Sequence, residues 1–81
     1  MDKMDCAIVD SMLRDHQAFS AIEGATRRRI CDGLDVNCRT LHRRLAAMVE
    51  MGWLARGVME GQMHTYYVTE AGVRTFEGVL E

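Results

Sequence analysis

Leu34-Asp35-Val36-Asn37-Cys38-Arg39-Thr40-Leu41-His42-Arg43-Arg44-Leu45-Ala46-Ala47-Met48-Val49-Glu50-Met51-Gly52-Trp53-Leu54 is the stretch on which the reading of this chain turns. Residues 34–37 make a short link. Beyond them Leu41, Leu45 and Met48 recur at i, i+4 and i+7, which puts them on one face of a helix. Counted at 100° per residue from Leu41, Arg39 falls at about 160° and Arg43 at about 200°, so both point away from the apolar stripe. Ala46 and Ala47 share that outer side and add little bulk. A helix with arginines near its start and small residues behind them suits a groove about 12 Å wide, the width of the major groove of duplex DNA.

The rest of the chain supplies partners for such a helix. Met4, Ile8 and Met12, with Val9 and Leu13, stand at helical spacings and predict helix 1 over about 4–15. Ser20 and Glu23 have the spacing of a capping box, but Thr26 is an equally good N-cap. Gly24 would weaken a long helix, so a short helix 2 over about 27–33 is preferred. Phe19 and Ile22 are expected to pack over the core, and Ile30, Cys31 and Leu34 to form the inner face of helix 2. Asn37 caps helix 3, over about 38–51, and Gly52 stops it.

After Gly52 the period changes. Residues 53–58 and 63–68 read as strands around the turn Met59-Glu60-Gly61-Gln62, a hairpin over about 53–68. Tyr66 and Tyr67 alternate, one inward and one outward. Thr69 caps a last helix over about 70–80, whose stripe is Val73, Phe76 and Leu80. The fold class is mainly α with one small antiparallel β-hairpin, in a single domain.

Charge is unevenly placed. The 81 residues carry a formal net charge of −2. Residues 27–56 hold seven arginines against three acids, a net +4, and the remainder holds three cations against nine acids, a net −6. A basic segment that coincides with helices 2 and 3 is what a helix-turn-helix requires.

The order helix, helix, helix, hairpin, helix is that of a winged helix-turn-helix, and the chain resembles that family in its motifs. Residues Cys38 to Leu45 followed by Met51-Gly-Trp-Leu54 look like its recognition helix and the exit into the wing. Thr65-Tyr-Tyr-Val-Thr-Glu-Ala-Gly72 looks like the YxLTxxG close of the wing in MarR- and PadR-like regulators. The ending, residues 75–81, is similar to archaeal phage-repressor-like members. Together these pieces span roughly residues 26–78. Two features depart from the pattern. The wing tip carries Glu60 and no cation, and the terminal helices are shorter than those with which MarR- and PadR-like proteins dimerise.

The function expected is sequence-specific binding of double-stranded DNA by a small transcriptional regulator. Arg39 and Arg43 are the candidates for base edges, because arginine to guanine is the commonest specific contact. Thr40 lies beside them. His42 and Arg44 flank the face and are expected to reach the groove walls. Arg27, Arg28 and Arg29 are placed for phosphates at the start of helix 2, and Arg56 stands on the wing stem.

One recognition helix reads few base pairs, so a homodimer is expected, through helix 1 and the last helix with Val79 and Leu80. The competing reading is a protein-interaction winged helix, an anti-repressor or assembly subunit that meets a protein at its acidic wing. A ligand-sensing regulator is disfavoured by the small core.

No catalytic set, phosphate loop or carboxylate pair is present, so an enzyme is not expected, nor any cofactor. Cys38 and His42 share a helical face but have no second ligand pair, so no metal is expected. His16 and His64 read as isolated surface residues. Three cysteines without framework spacing suggest free thiols and a reducing cytoplasm. No apolar run reaches the length of a membrane span.

Overall fold

Four side chains start the four helices. The computed structural model describes residues 1–80. In it Asp2 accepts from the Asp5 N–H at 2.8 Å and opens α1 (Lys3–Arg14). That hydrogen bond holds the Asp2 carboxyl below the usual carboxylate value. Thr26 accepts from the Arg29 N–H at the head of α2 (Arg27–Asp32). Asn37 accepts from Arg39 and Thr40 at the head of α3 (Cys38–Glu50). Thr69 Oγ1 accepts from the Gly72 N–H in the first turn of α4 (Glu70–Leu80). The Thr69 hydroxyl donates to the Gly52 and Trp53 carbonyls, which ties the end of α3 to the start of α4.

Helix α3 ends as its sequence implies. Gly52 has φ +83°, the Trp53 N–H donates to Met48 O at 3.0 Å, and the Gly52 N–H donates to Val49 O at 3.1 Å. This is the paired C-terminal closure that a left-handed glycine permits.

The sheet has three strands in the order β1-β3-β2, all antiparallel: β1 (Ala25–Thr26), β2 (Leu54–Arg56) and β3 (Thr65–Val68). The hairpin expected over 53–68 is β2 and β3, in the register Leu54↔Val68 and Arg56↔Tyr66. Strand β1 adds Ala25↔Tyr66 on the other side of β3. Its close approach needs Gly24, where a Cβ would stand 2.7 Å from Thr65 Oγ1.

The core lies between α1, α3 and the sheet. Ile8, Val9 and Met12 meet Leu41, Leu45 and Met48, with Ile30, Leu54, Tyr66, Val68 and Phe76 closing it. Tyr66 is the inward tyrosine and Tyr67 is half-buried.

Several expectations are corrected. Phe19 and Ile22 do not cover the core: both are exposed, Ile22 at 86%. The segment between α1 and β1 bends at Gln17 (φ +51°) and buries Ala18, which is bonded to Met12 O through its N–H and to the Val68 N–H through its C=O. Leu80 lies outside the core, 69% exposed, because the packed face of α4 ends at Phe76. Leu34 does face inward, half-buried against the core. His16 is half-buried, and its Nε2 is covered without a hydrogen-bond partner among the described residues.

The cysteines are not all free. Cys31 and Cys38 form a disulfide, with Cα atoms 5.7 Å apart, while Cys6 is unpaired. Closing so short a loop removes roughly 2.5 kcal/mol of unfolded-chain entropy at 25 °C. A dithiol reductant is therefore expected to lower the melting temperature by on the order of 10 °C. Scanning calorimetry with and without reductant checks this. An unchanged transition in wild type would contradict it, and a Cys31→Ser/Cys38→Ser variant serves as the reduced reference.

Candidate nucleic-acid interface

The outer face of α3 follows from the burial of its inner face. Leu41, Leu45 and Met48 are fully buried, so Arg39, His42, Arg43 and Ala46 are left on the solvent side. Thr40 and Ala47 are half-buried at its margins. No acidic residue occurs on α3 before Glu50. None of Arg27, Arg28, Arg29, Arg39, Arg43 and Arg56 makes an ion pair among the described residues. Their charges are uncompensated by direct contact, which suits a polyanion.

Arg27 and His42 join α2 to α3. The Arg27 Nη1 donates to His42 Nδ1 at 2.7 Å, so the neutral ring carries its hydrogen on Nε2, which is left for a further partner. Both residues line a hollow of about 260 Å³ with Arg56, Gln62, Met63, His64 and Tyr66. The hollow has no carboxylate in its lining. It is the place where α2, α3 and the wing stem converge. The sequence reads His64 as an isolated surface residue and Gln62 as part of the turn, because both are distant from helix 3 and carry no motif; the fold brings them beside it.

Arg44 is the exception among the arginines. Expected at a groove wall, it instead turns inward. Its Nε and Nη2 donate to the two carboxylate oxygens of Asp5 at 2.9 and 2.6 Å. The Asp5 side chain is 2% exposed and that of Arg44 is 34%. The hydrogen bonds to Asp5 raise the guanidinium's affinity for its proton further. Arg44 therefore clamps α3 to α1, with its Nε and one Nη2 donor committed to Asp5. Arg29 is likewise apart from the strip. It lines a separate hollow with Glu23, Ile22, Val58, Met59 and Glu60.

The wing is short. Glu60 and Met63 exchange two backbone hydrogen bonds, and Gly61 turns the chain at φ +63°. Glu60 is exposed at its tip, beside exposed Val58, Met59 and Met63. The Val58 N–H donates to Ala21 O, which pins the wing to the segment before β1. No cluster of three or more metal-ligating side chains occurs among the described residues, and Cys38 is held by Cys31, not poised with His42.

Comparison with solved structures places this arrangement. TubR from Bacillus megaterium pBM400 superposes with a TM-score of 0.79, covering 99% of this chain and 88% of that one, at 16% identity. The fold is a winged helix-turn-helix. The solution structure of the DNA-binding TubR fragment from Clostridium botulinum superposes with a TM-score of 0.73 at 18% identity, with 98% of each chain covered. In sequence, the DNA-binding protein TubR of a Clostridium botulinum C phage is 20% identical over 69 residues, 85% of either chain. No family model matches. The matched proteins are named TubR. No helix is long and apolar enough to cross a membrane among the described residues.

Proposed function

We propose that this chain binds double-stranded DNA with α3 in the major groove and acts as a small transcriptional regulator in the cytoplasm. The observation that carries the reading is the acid-free outer face of α3. Arg39 and Arg43 stand there without ion-pair partners, flanked by Arg27, Arg28 and Arg56. The similarity to proteins described as DNA-binding TubR supports it, and so does the MarR- and PadR-like close of the wing. Arg39 and Arg43 read bases. Thr40 and His42 adjoin them. Arg27, Arg28 and Arg56 meet phosphates, with Arg29 on the far side of α2. A homodimer supplies the second half-site. The inner face of α1 is taken up by the core, so exposed Val79 and Leu80 on α4 are the apolar residues available for it.

A second reading has one observation in its favour. Val58, Met59 and Met63 are exposed beside Glu60, an apolar and acidic wing suited to a protein partner. The two readings are separated by charge substitutions. Arg28→Ala is expected to weaken binding to all duplexes about equally and to lower the salt slope by roughly one unit. Glu60→Lys is expected to strengthen non-specific binding, because a repulsive tip becomes attractive. Fluorescence anisotropy on random-sequence duplexes over a salt series measures both. If neither substitution moved the binding curve, phosphate contact by α2 and the wing would be excluded.

A further inference from the structure

The disulfide sits in the turn of the helix-turn-helix. Cys31 lies at the C-terminal end of α2, and Cys38 is the first residue of α3. The bond thus links the helix that carries Arg27 and Arg28 directly to the helix that carries Arg39 and Arg43. Between the cysteines the chain is also held by two apolar side chains against the core and by turn hydrogen bonds. Leu34 and Val36 are half-buried against the core, and the Leu34 N–H donates to Cys31 O at 3.2 Å, so the disulfide is the covalent member of this set of ties. A second observation concerns access. A depression of about 350 Å³ opens onto both cysteines and is otherwise lined by Arg27, Arg28, Asp32 and Met63. Cys38 is exposed, whereas Cys31 is nearly covered.

We propose that Cys31 and Cys38 form a reversible redox site whose state sets DNA affinity, with small thiols and their disulfides as co-reactants. The regulatory half rests on the DNA-binding reading above. In the reducing compartment that the proposed function assigns to this chain, disulfides are usually transient and redox-sensing. Oxidation begins at the accessible Cys38. Its thiolate attacks one sulfur of the small disulfide and forms a mixed disulfide. One small thiolate leaves and takes up a proton. The Cys31 thiolate, having released its proton to water, then attacks the Cys38 sulfur and expels the second small thiol. Two protein thiols and one small disulfide become one protein disulfide and two small thiols. Reduction runs the same steps backwards. Glutathione-like molecules bear carboxylates, which match Arg27 and Arg28 in the depression.

The closed bond fixes α3 against α2 before DNA is met, and the open form must order that junction on binding. Oxidised protein is therefore expected to bind duplex DNA about tenfold more tightly than reduced protein, the gain of a preorganised surface. The experiment equilibrates the protein in glutathione buffers of graded ratio. Thiols are counted by alkylation under denaturing conditions, and DNA affinity is measured in the same samples. The proposal expects labelling to move from Cys6 alone to all three cysteines across the series, with affinity falling in step. A Cys31→Ser/Cys38→Ser variant, shown to be folded by circular dichroism, is expected to bind like reduced wild type at every ratio. Labelling of all three cysteines at every ratio would overturn the redox site. Equal DNA affinity in both states would overturn the regulation. Absence of DNA binding in both states would overturn the proposed function and the regulation together, while alkylation would still decide the redox site.

Discussion

Arg44→Ala is expected to destabilise the fold by about 3 kcal/mol, since removing one partner of a buried ion pair leaves the other charge uncompensated. The charge left behind is the Asp5 carboxylate, with a side chain 2% exposed and both oxygens taken up by Arg44. Asp2 stands near the same guanidinium at 3.8 Å and gives Asp5 no substitute cation. The expected cost is placed at the low end of the range for buried pairs because Arg44 is one-third exposed and water reaches it. A domain of this size has roughly 4–12 kcal/mol in all, so the loss is a large share. Asp5→Ala removes the buried charge and leaves a cation that solvent can reach, so it is expected to cost less. Urea unfolding of wild type and both variants makes the comparison. A change within about 0.5 kcal/mol for Arg44→Ala, the range of an ordinary surface substitution, would contradict the clamp. The folded fraction of the variant is expected to bind DNA as wild type does.

Arg43→Ala has the opposite profile. It is expected to leave stability within about 0.5 kcal/mol, because the side chain is exposed and makes no ion pair. On a specific site it is expected to cost about 1–3 kcal/mol, a five- to 150-fold loss of affinity, and to relax the sequence preference. Selection of binding sites from a random pool by wild type and variant shows both effects. An unchanged selected sequence would remove Arg43 from base reading and leave α3 as a solvated face.

The contrast between Arg43 and Arg44 shows what was legible in the residues. On a helical wheel Arg44 lies about 60° from Leu41, at the edge of the buried stripe, and Arg43 lies nearly opposite. The wheel separates them, but their partners are a tertiary matter, since Asp5 is 39 residues away. Local signals were legible because they are read within a few residues. Thr26, Asn37, Gly52 and Thr69 each delimit a helix as their chemistry implies. Strand β1 was not, because a two-residue strand has no alternation to detect and exists only by pairing with β3. Ile22 is apolar but exposed, since the bend at Gln17 gives the covering role to Ala18. The cysteine pairing was hidden for the same reason. Nothing in a seven-residue separation says that the α2–α3 turn brings two sulfurs together.

The central claim is that the face of α3 and its neighbouring arginines bind duplex DNA, and salt-dependent association tests it most directly. Labelled genomic fragments are titrated with the full chain at ~50 mM salt and again at rising salt. The account predicts binding at low salt, with log K falling linearly against log salt by about 0.9 for each phosphate neutralised. No association up to the ~10⁻⁴ M range of non-specific binding, or an affinity indifferent to salt, would contradict it.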